Sequence, residues 1–273
     1  MPVVATEACR AADGLPLVSL HGVSKRFVTR GGGDVLALQH VTVDVFRDQF
    51  VSLVGPSGCG KSTLMKLVGG LTPASEGEVR LAGELVKRSS RMIGMVFQRP
   101  ILLPWRSVLD NVLFPIEMLG WQTRQYREEA MRLIDLVGLH GFENARPNEL
   151  SGGMQQRVSI CRALVYDPQV MLMDEPFGAL DAMTREDLSM EILRIWTEKK
   201  KTIVFVTHSI PEAVLLSDRV IVMTARPGQV VMDLAIDLAR PRSLTTESLP
   251  AFSAYVQTIR DVISGKYKGA SWQ

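Results

Sequence analysis

Gly55-Pro56-Ser57-Gly58-Cys59-Gly60-Lys61-Ser62 is the stretch on which the reading of this chain turns. It fits the pattern GxxxxGK[ST] in full. Glycines at these positions permit backbone conformations that turn successive N–H groups toward a single anion. Ahead of it, Gln49–Val54 reads as a buried strand, because its apolar run is continuous rather than alternating. Behind it, Lys61–Leu71 carries Leu64, Leu67, Val68 and Leu71 at helical spacing. Strand, glycine loop and helix in that order set the positive end of a helix dipole against a phosphate. Lys61 then reaches the β- and γ-phosphates of a nucleotide, and the Ser62 hydroxyl ligates Mg²⁺. The expected cradle is Gly55, Pro56, Ser57, Gly58, Cys59, Gly60, Lys61, Ser62 and Thr63. Cys59 sits at an unrestricted position of the pattern and is given no catalytic role.

On the N-terminal side, Leu17–Leu20, Arg26–Thr29 and Val35–Val45 are strand-like, and Arg30 to Asp34 reads as a Gly-rich hairpin connection. On the C-terminal side the strand signals stop between Leu102 and Leu164. Tyr126–Val137 is helical there, with Ala130, Leu133, Ile134 and Val137 on one stripe and Gly138 placed to end it. Strand cores then return at Val170–Met173, Thr202–Val206 and Val220–Met223, with helical stretches between them. This alternation argues for an α/β fold, a mostly parallel sheet covered by helices, interrupted by a helical insert at about residues 100–163.

Val170-Met171-Leu172-Met173-Asp174-Glu175 is an apolar strand ending in two acids. Open α/β sheets bind ligands at the carboxyl ends of their strands. Beside a phosphate loop, Asp174 suits direct or water-mediated Mg²⁺ ligation, and Glu175 suits polarising an attacking water.

The chain has 273 residues, a formal charge of +2, 46% hydrophobic and 22% charged residues. That composition excludes disordered, collagenous and small disulfide-stapled classes. No run approaches the roughly 18–20 apolar residues of a membrane span. Near-neutral charge leaves no electrostatic footprint for nucleic acid. Cys9, Cys59 and Cys161 and the four scattered histidines lack zinc spacing, and free thiols are expected. Residues 1–16 lack a secretory signal pattern and read as a flexible tail.

Leu150-Ser151-Gly152-Gly153-Met154-Gln155-Gln156-Arg157 reads locally as a helix start, with Ser151 as the cap. The string also resembles the LSGGQ signature of ABC transporter ATP-binding subunits, and motifs from about Leu17 to Val231 follow in that family's order. The resemblance implies a P-loop NTPase (RecA-like) fold over residues 17–240. It also implies an N-terminal antiparallel β subdomain, the α-helical insert, and ATP and Mg²⁺ as cofactors. It further implies a head-to-tail homodimer that sandwiches two ATP molecules. Ser151, Gly152 and Gly153 would face the γ-phosphate held by the other copy. Gln98, after strand Ile93–Phe97, matches the glutamine that senses Mg²⁺ and water, and Phe27 the aromatic that stacks on adenine. Gly178-Ala179-Leu180-Asp181 matches the D-loop, and His208 the switch histidine. Taken alone, His208 reads as a structural or surface residue.

Met154 replaces the glutamine of the signature, and Thr207-His208-Ser209-Ile210-Pro211-Glu212-Ala213 departs from the commoner THDxxEA. Both departures, with Leu102 to Val112, are similar to the nitrate/sulfonate/taurine/bicarbonate importer branch. That resemblance implies transmembrane permease subunits, indirectly a substrate-binding protein, and a peripheral place at the cytoplasmic face of the inner membrane. Leu103, Trp105 and Arg106 are candidates for the permease contact, or for helical core. Lys199-Lys200-Lys201 reads as a solvated helix end. Residues 241–273 read as a helical tail. Within it Phe252, Tyr255, Val256, Ile259 and Ile263 share a face that suits packing or a partner. The competing class is a nucleic-acid-acting ABC ATPase, but no coiled-coil insert separates Leu64 from Leu150. No guanine-reading motif supports a GTP switch.

Overall fold

In a computed structural model that describes residues 14–28, 33–178 and 180–265, two long strands come first. β1 (Val18–Val28) pairs antiparallel with β2 (Asp34–Val45), Val18 opposite Val45 and Val28 opposite Asp34. The 29–32 tip of their expected hairpin lies outside the described residues. β3 (Phe50–Val54) is buried along its whole length, as its unbroken apolar run requires. α1 (Lys61–Val68) follows, then β4 (Glu76–Leu81) and β5 (Glu84–Leu85).

The next elements are β6 (Ile93–Val96), α2 (Val108–Met118), α3 (Thr123–Leu136), α4 (Gly152–Leu164), β7 (Val170–Asp174) and α5 (Ala182–Lys199). The chain ends with β8 (Thr202–Val206), α6 (Ile210–Leu216), β9 (Arg219–Met223), β10 (Val230–Ala235) and α7 (Pro250–Ile263). The chain divides into two compact units: Arg91–Lys199 is one, and the described residues before and after it form the other.

The split unit carries two sheets. One is antiparallel, ordered β2-β1-β4-β5. The other is ordered β10-β9-β3-β8, with β3 parallel to both β8 and β9 and β10 antiparallel at its side. In the Arg91–Lys199 unit, β6 and β7 pair in parallel, Ile93 opposite Val170. The result is α/β, with parallel central strands and a separate antiparallel sheet.

Several expected boundaries move. α1 stops at Val68, where Gly69 and Gly70 follow, and Leu71 is 52% exposed rather than part of the stripe. The strand expected at Arg26–Thr29 belongs to one strand with Leu17–Leu20, because β1 bends through register shifts between Leu20 and Arg26 instead of breaking. β4 carries charge at alternate positions, Glu76, Glu78 and Arg80, so its apolar signal is weak in the sequence; Val79 and Leu81 still face inward. The stripe of α3 holds, with Ala130, Leu133, Ile134 and Val137 all buried and Gly138 at φ +68° after it.

The C-terminal helix packs. Phe252, Val256, Ile259 and Val262 of α7 are buried against α6 and β9. The Tyr255 hydroxyl accepts a hydrogen bond from the Asp237 N–H at 3.1 Å. Buried Arg242 donates to the carbonyls of Val214, Leu215, Ser217, Ile236 and Leu238, tying the start of the tail to the end of α6. The packed alternative therefore describes this face of the tail. Residues 1–13, with Cys9, and 266–273 lie outside the described residues.

Candidate functional site

In the split unit, β3 delivers the chain directly into the glycine loop. Gly58 at φ +74° and Gly60 at φ +97° occupy the left-handed region that other residues enter with strain. Gly60 also has no room for a side chain, since a Cβ there would stand 2.6 Å from Leu38 Cδ2. Gly60 is the N-cap of α1 and contributes no side chain, and the first turn of α1 holds no acid. That leaves the helix dipole uncompensated by the protein, the condition under which a helix start attracts an anion.

Lys61 is only 5% exposed, and its ammonium lies back across the loop. Nζ donates to the carbonyls of Gly55 at 2.9 Å and Pro56 at 3.2 Å, and lies 3.7 Å from Cys59 Sγ. Cys59 is buried under the loop, so its freedom in the motif is one of packing. Ser57, Gly58 and Ser62 are exposed, on the open side of the same loop.

Phe27, near the end of β1, is 41% exposed, with Lys25 Nζ 5.1 Å from its ring centroid. His208 follows β8 and is exposed. It sits in a turn held by its neighbours. Thr207 Oγ1 donates to Glu212 at 2.6 Å, and Ser209 caps α6 by accepting from the Glu212 N–H at 3.4 Å. Serine is as competent a cap as aspartate, which accounts for the departure at this position.

In the Arg91–Lys199 unit, Gln98 and Glu175 converge. A Cβ on Gly178 would stand 3.2 Å from Gln98 Nε2 and 3.6 Å from a Glu175 carboxylate oxygen. Glu175 follows β7 at φ +45°, a conformation that a non-glycine residue holds at a cost of about 1–3 kcal/mol, typical of functional turns. Asp174 is the last residue of β7 and half-buried.

Ser151 caps α4, accepting from the Met154 N–H at 3.3 Å, as its sequence position requires. Gly152 is open to solvent, whereas Gly153 is closed, a Cβ there meeting Thr184 Cγ2 at 2.6 Å. Asp181 caps the start of α5. Its carboxylate accepts from the Thr184 N–H at 3.0 Å, and that bond holds its pKa below the usual carboxylate range. Ala179, between Gly178 and Leu180, lies outside the described residues.

Two residues to which no motif gives an individual role support the site. Gln156 reaches from α4 to donate to the Phe97 carbonyl at 3.2 Å, tying the signature helix to the residue before Gln98. Asn111, fully buried, holds the loop before α2. It donates to the carbonyls of Leu103, Arg106 and Ser107, and its Oδ1 accepts from the Leu103 N–H at 2.8 Å. A buried amide gives no periodic signal.

The same loop turns Trp105 outward, 69% exposed, so helical core is excluded for it. Arg106 is engaged locally, binding Glu117 at 2.8 and 2.9 Å beside the Phe114 ring. Lys199 is likewise no solvated end. It donates to Glu129 at 2.9 Å.

Together these motifs define a nucleotide-binding cassette. Residues 38–178 match the ABC transporter family, and the chain belongs to that family as one of its ATPases. Among relatives, an uncharacterized ABC transporter ATP-binding protein of Methanocaldococcus jannaschii is 51% identical over 79% of this chain and 80% of its own. The aliphatic sulfonates import ATP-binding protein SsuB of Bacillus cereus is 43% identical over 85% of this chain and 90% of its own. The taurine import ATP-binding protein TauB of Rhizobium johnstonii is 43% identical over 87% and 92%. A solved dimeric ATP-binding cassette in a post-hydrolysis state, bound to ADP and Pi, is 32% identical with a TM-score of 0.70. It covers 81% of this chain and 100% of its own.

Proposed function

We propose that this chain is the motor subunit of a membrane importer for a sulfonate, taurine or a similar small anionic solute. The observation that carries the ATP site is the loop around Lys61, buried and hydrogen-bonded across a glycine turn at the start of α1. The names of the sulfonate and taurine relatives support the importer reading.

In this reading Gly55 through Thr63 wrap the phosphates, and Lys61 neutralises the β- and γ-phosphate charge. Phe27 stacks on the adenine. Ser62, Gln98 and Asp174 are the residues whose oxygens would hold Mg²⁺. The ion supplies further charge neutralisation when bound. Glu175 orients or deprotonates the attacking water, and His208 meets the γ-phosphate. Ser151, Gly152, Gly153 and Asp181 of a second copy complete each site in a head-to-tail dimer. Hydrolysis is then tied to dimer closure, and opening follows product release.

The exposed Trp105 segment carries this motion to permease subunits. The chain works as a peripheral subunit at the cytoplasmic face of the membrane, beside a permease that receives solute from a binding protein. Among the described residues no helix is long and apolar enough to cross a membrane.

Affinity purification from a membrane extract tests the assignment. Co-purification of a polytopic permease that raises Mg²⁺-dependent ATP turnover is the expected result. Recovery of nucleic acid that stimulates turnover in its place overturns it.

A further inference from the structure

The turn between β9 and β10 braces the glycine loop from its outer side, a contact that no motif announces. Thr224 and Gln229 close this turn, the Thr224 N–H donating to the Gln229 carbonyl at 2.9 Å and the Gln229 N–H to Thr224 Oγ1 at 3.0 Å. Its tip is locked to β2. The Gly228 N–H donates to the Ala37 carbonyl at 3.0 Å, the Gln39 N–H donates to the Gly228 carbonyl at 3.0 Å, and Gln229 Nε2 donates to Gln39 Oε1 at 2.7 Å.

From that anchored position the turn presses on the loop. A Cβ on Gly228 would fall 1.9 Å from the Cys59 carbonyl oxygen, so only glycine permits the approach. Arg226 lies over Gly58. Its Nε donates to the Gly58 carbonyl at 3.3 Å, and its Nη2 is 3.0 Å from where a Gly58 Cβ would stand. The N–H of the same peptide unit, on Cys59, donates to the Pro56 carbonyl at 3.3 Å. The Gly58–Cys59 peptide is thus held at both its C=O and its N–H, in the φ +74° setting of Gly58.

We infer that Arg226 is a positioning residue for the nucleotide site, fixing the Gly58–Cys59 peptide so that the loop N–H groups are aimed before nucleotide arrives. The inference rests on the proposed phosphate-binding role of the loop. Ordering a glycine-rich segment opposes binding. A tertiary contact that orders it beforehand removes that cost from the affinity. The directional bond to the carbonyl is the operative feature, because an exposed cation contributes little by charge alone.

Arg226→Ala, Arg226→Lys and Lys61→Ala test it together in ATPase assays, with ATP binding by calorimetry and the melting temperature of the nucleotide-free protein. Arg226→Ala should raise KM for ATP about tenfold, with a smaller fall in kcat, as expected for one lost hydrogen bond from a charged group. Its melting temperature should move by no more than about 2 °C. Arg226→Lys, which can still donate to the Gly58 carbonyl, should recover most of the loss.

An unchanged KM in Arg226→Ala, beside a Lys61→Ala protein whose ATP affinity falls on the order of 100-fold, overturns the inference and leaves the loop's role standing. A KM rise matched by a large drop in melting temperature overturns it too, as does a lysine variant no better than alanine. Normal ATP binding by Lys61→Ala overturns the reading of the loop itself.

Discussion

Lys61 Nζ donates to the carbonyl oxygen of Gly55 at 2.9 Å, closing the loop that the two residues bound. A side chain so placed is poised over the space that the loop encloses, and truncating it removes a charge-assisted contact to phosphate. Lys61→Ala should therefore weaken ATP binding on the order of 100-fold. Calorimetry that finds an unchanged affinity would falsify the assignment.

Glu175 is held at φ +45° just beyond β7, with its carboxylate facing Gly178 and the Gln98 amide. As the water-polarising group it should be worth about 10²–10⁴-fold in turnover. Glu175→Gln should bind ATP normally, hydrolyse it at that reduced rate, and run as an ATP-dependent dimer on size exclusion. A variant that remains monomeric with ATP and turns over at the parental rate contradicts this role.

Trp105 is exposed while Asn111 holds its loop from below. Trp105→Ala should leave stability within about 0.5 kcal/mol and basal ATP hydrolysis intact. In the assembled transporter it should reduce ATP-coupled uptake. Unfolding of the variant, or full coupling in reconstituted vesicles, goes against the docking role.

Glu129 accepts a bidentate hydrogen bond from Arg132 and a further one from Lys199, linking α3 to the end of α5. The Arg132 bond, assisted by Lys199, lowers its pKa from 4.5 to about 2. A carboxylate depressed on folding contributes stability that is complete above its unfolded pKa and is lost as pH falls toward the folded value. Urea melts should show a loss between about pH 5 and pH 2, amounting to about 1 kcal/mol once solvent screening is allowed for. Glu129→Gln should flatten that part of the profile, and an identical slope in the variant counts against the link.

Ile259 of α7 is fully buried. Ile259→Ala should cost about 2–5 kcal/mol, because it opens a cavity where the tail meets α6 and β9. A thermal midpoint equal to the parent's means that the tail is an appendage, contrary to its packing.

Much of this molecule was legible along the chain, wherever chemistry and structure are local. Strand, glycine loop and helix around Lys61 are consecutive, and so are β7 with Asp174 and Glu175. Ser151 capping α4 and Gly138 ending α3 are settled within a few residues by backbone geometry. The Leu71 periodicity continues past Gly69-Gly70, where α1 ends, so spacing alone overextends this helix.

The antiparallel strands β4 and β10 were invisible for another reason. β4 alternates charged with apolar residues and β10 carries one charge, Asp233, and each acquires meaning as a strand only beside its partner. Trp105 and the α7 face posed the same question, whether an apolar side chain is covered, and composition and spacing leave it open. Burial is a property of neighbours distant in sequence.

What the sequence by itself determined was the α/β order of elements and the identity of the nucleotide motifs, since both depend on residues a few positions apart. Tertiary structure alone decided that Trp105 faces outward while α7 packs inward. It alone brought Gln156 to the residue before Gln98, and Arg226 onto Gly58 across an interval of 168 positions. Such contacts arise from packing between separate elements, and local periodicity carries no record of it.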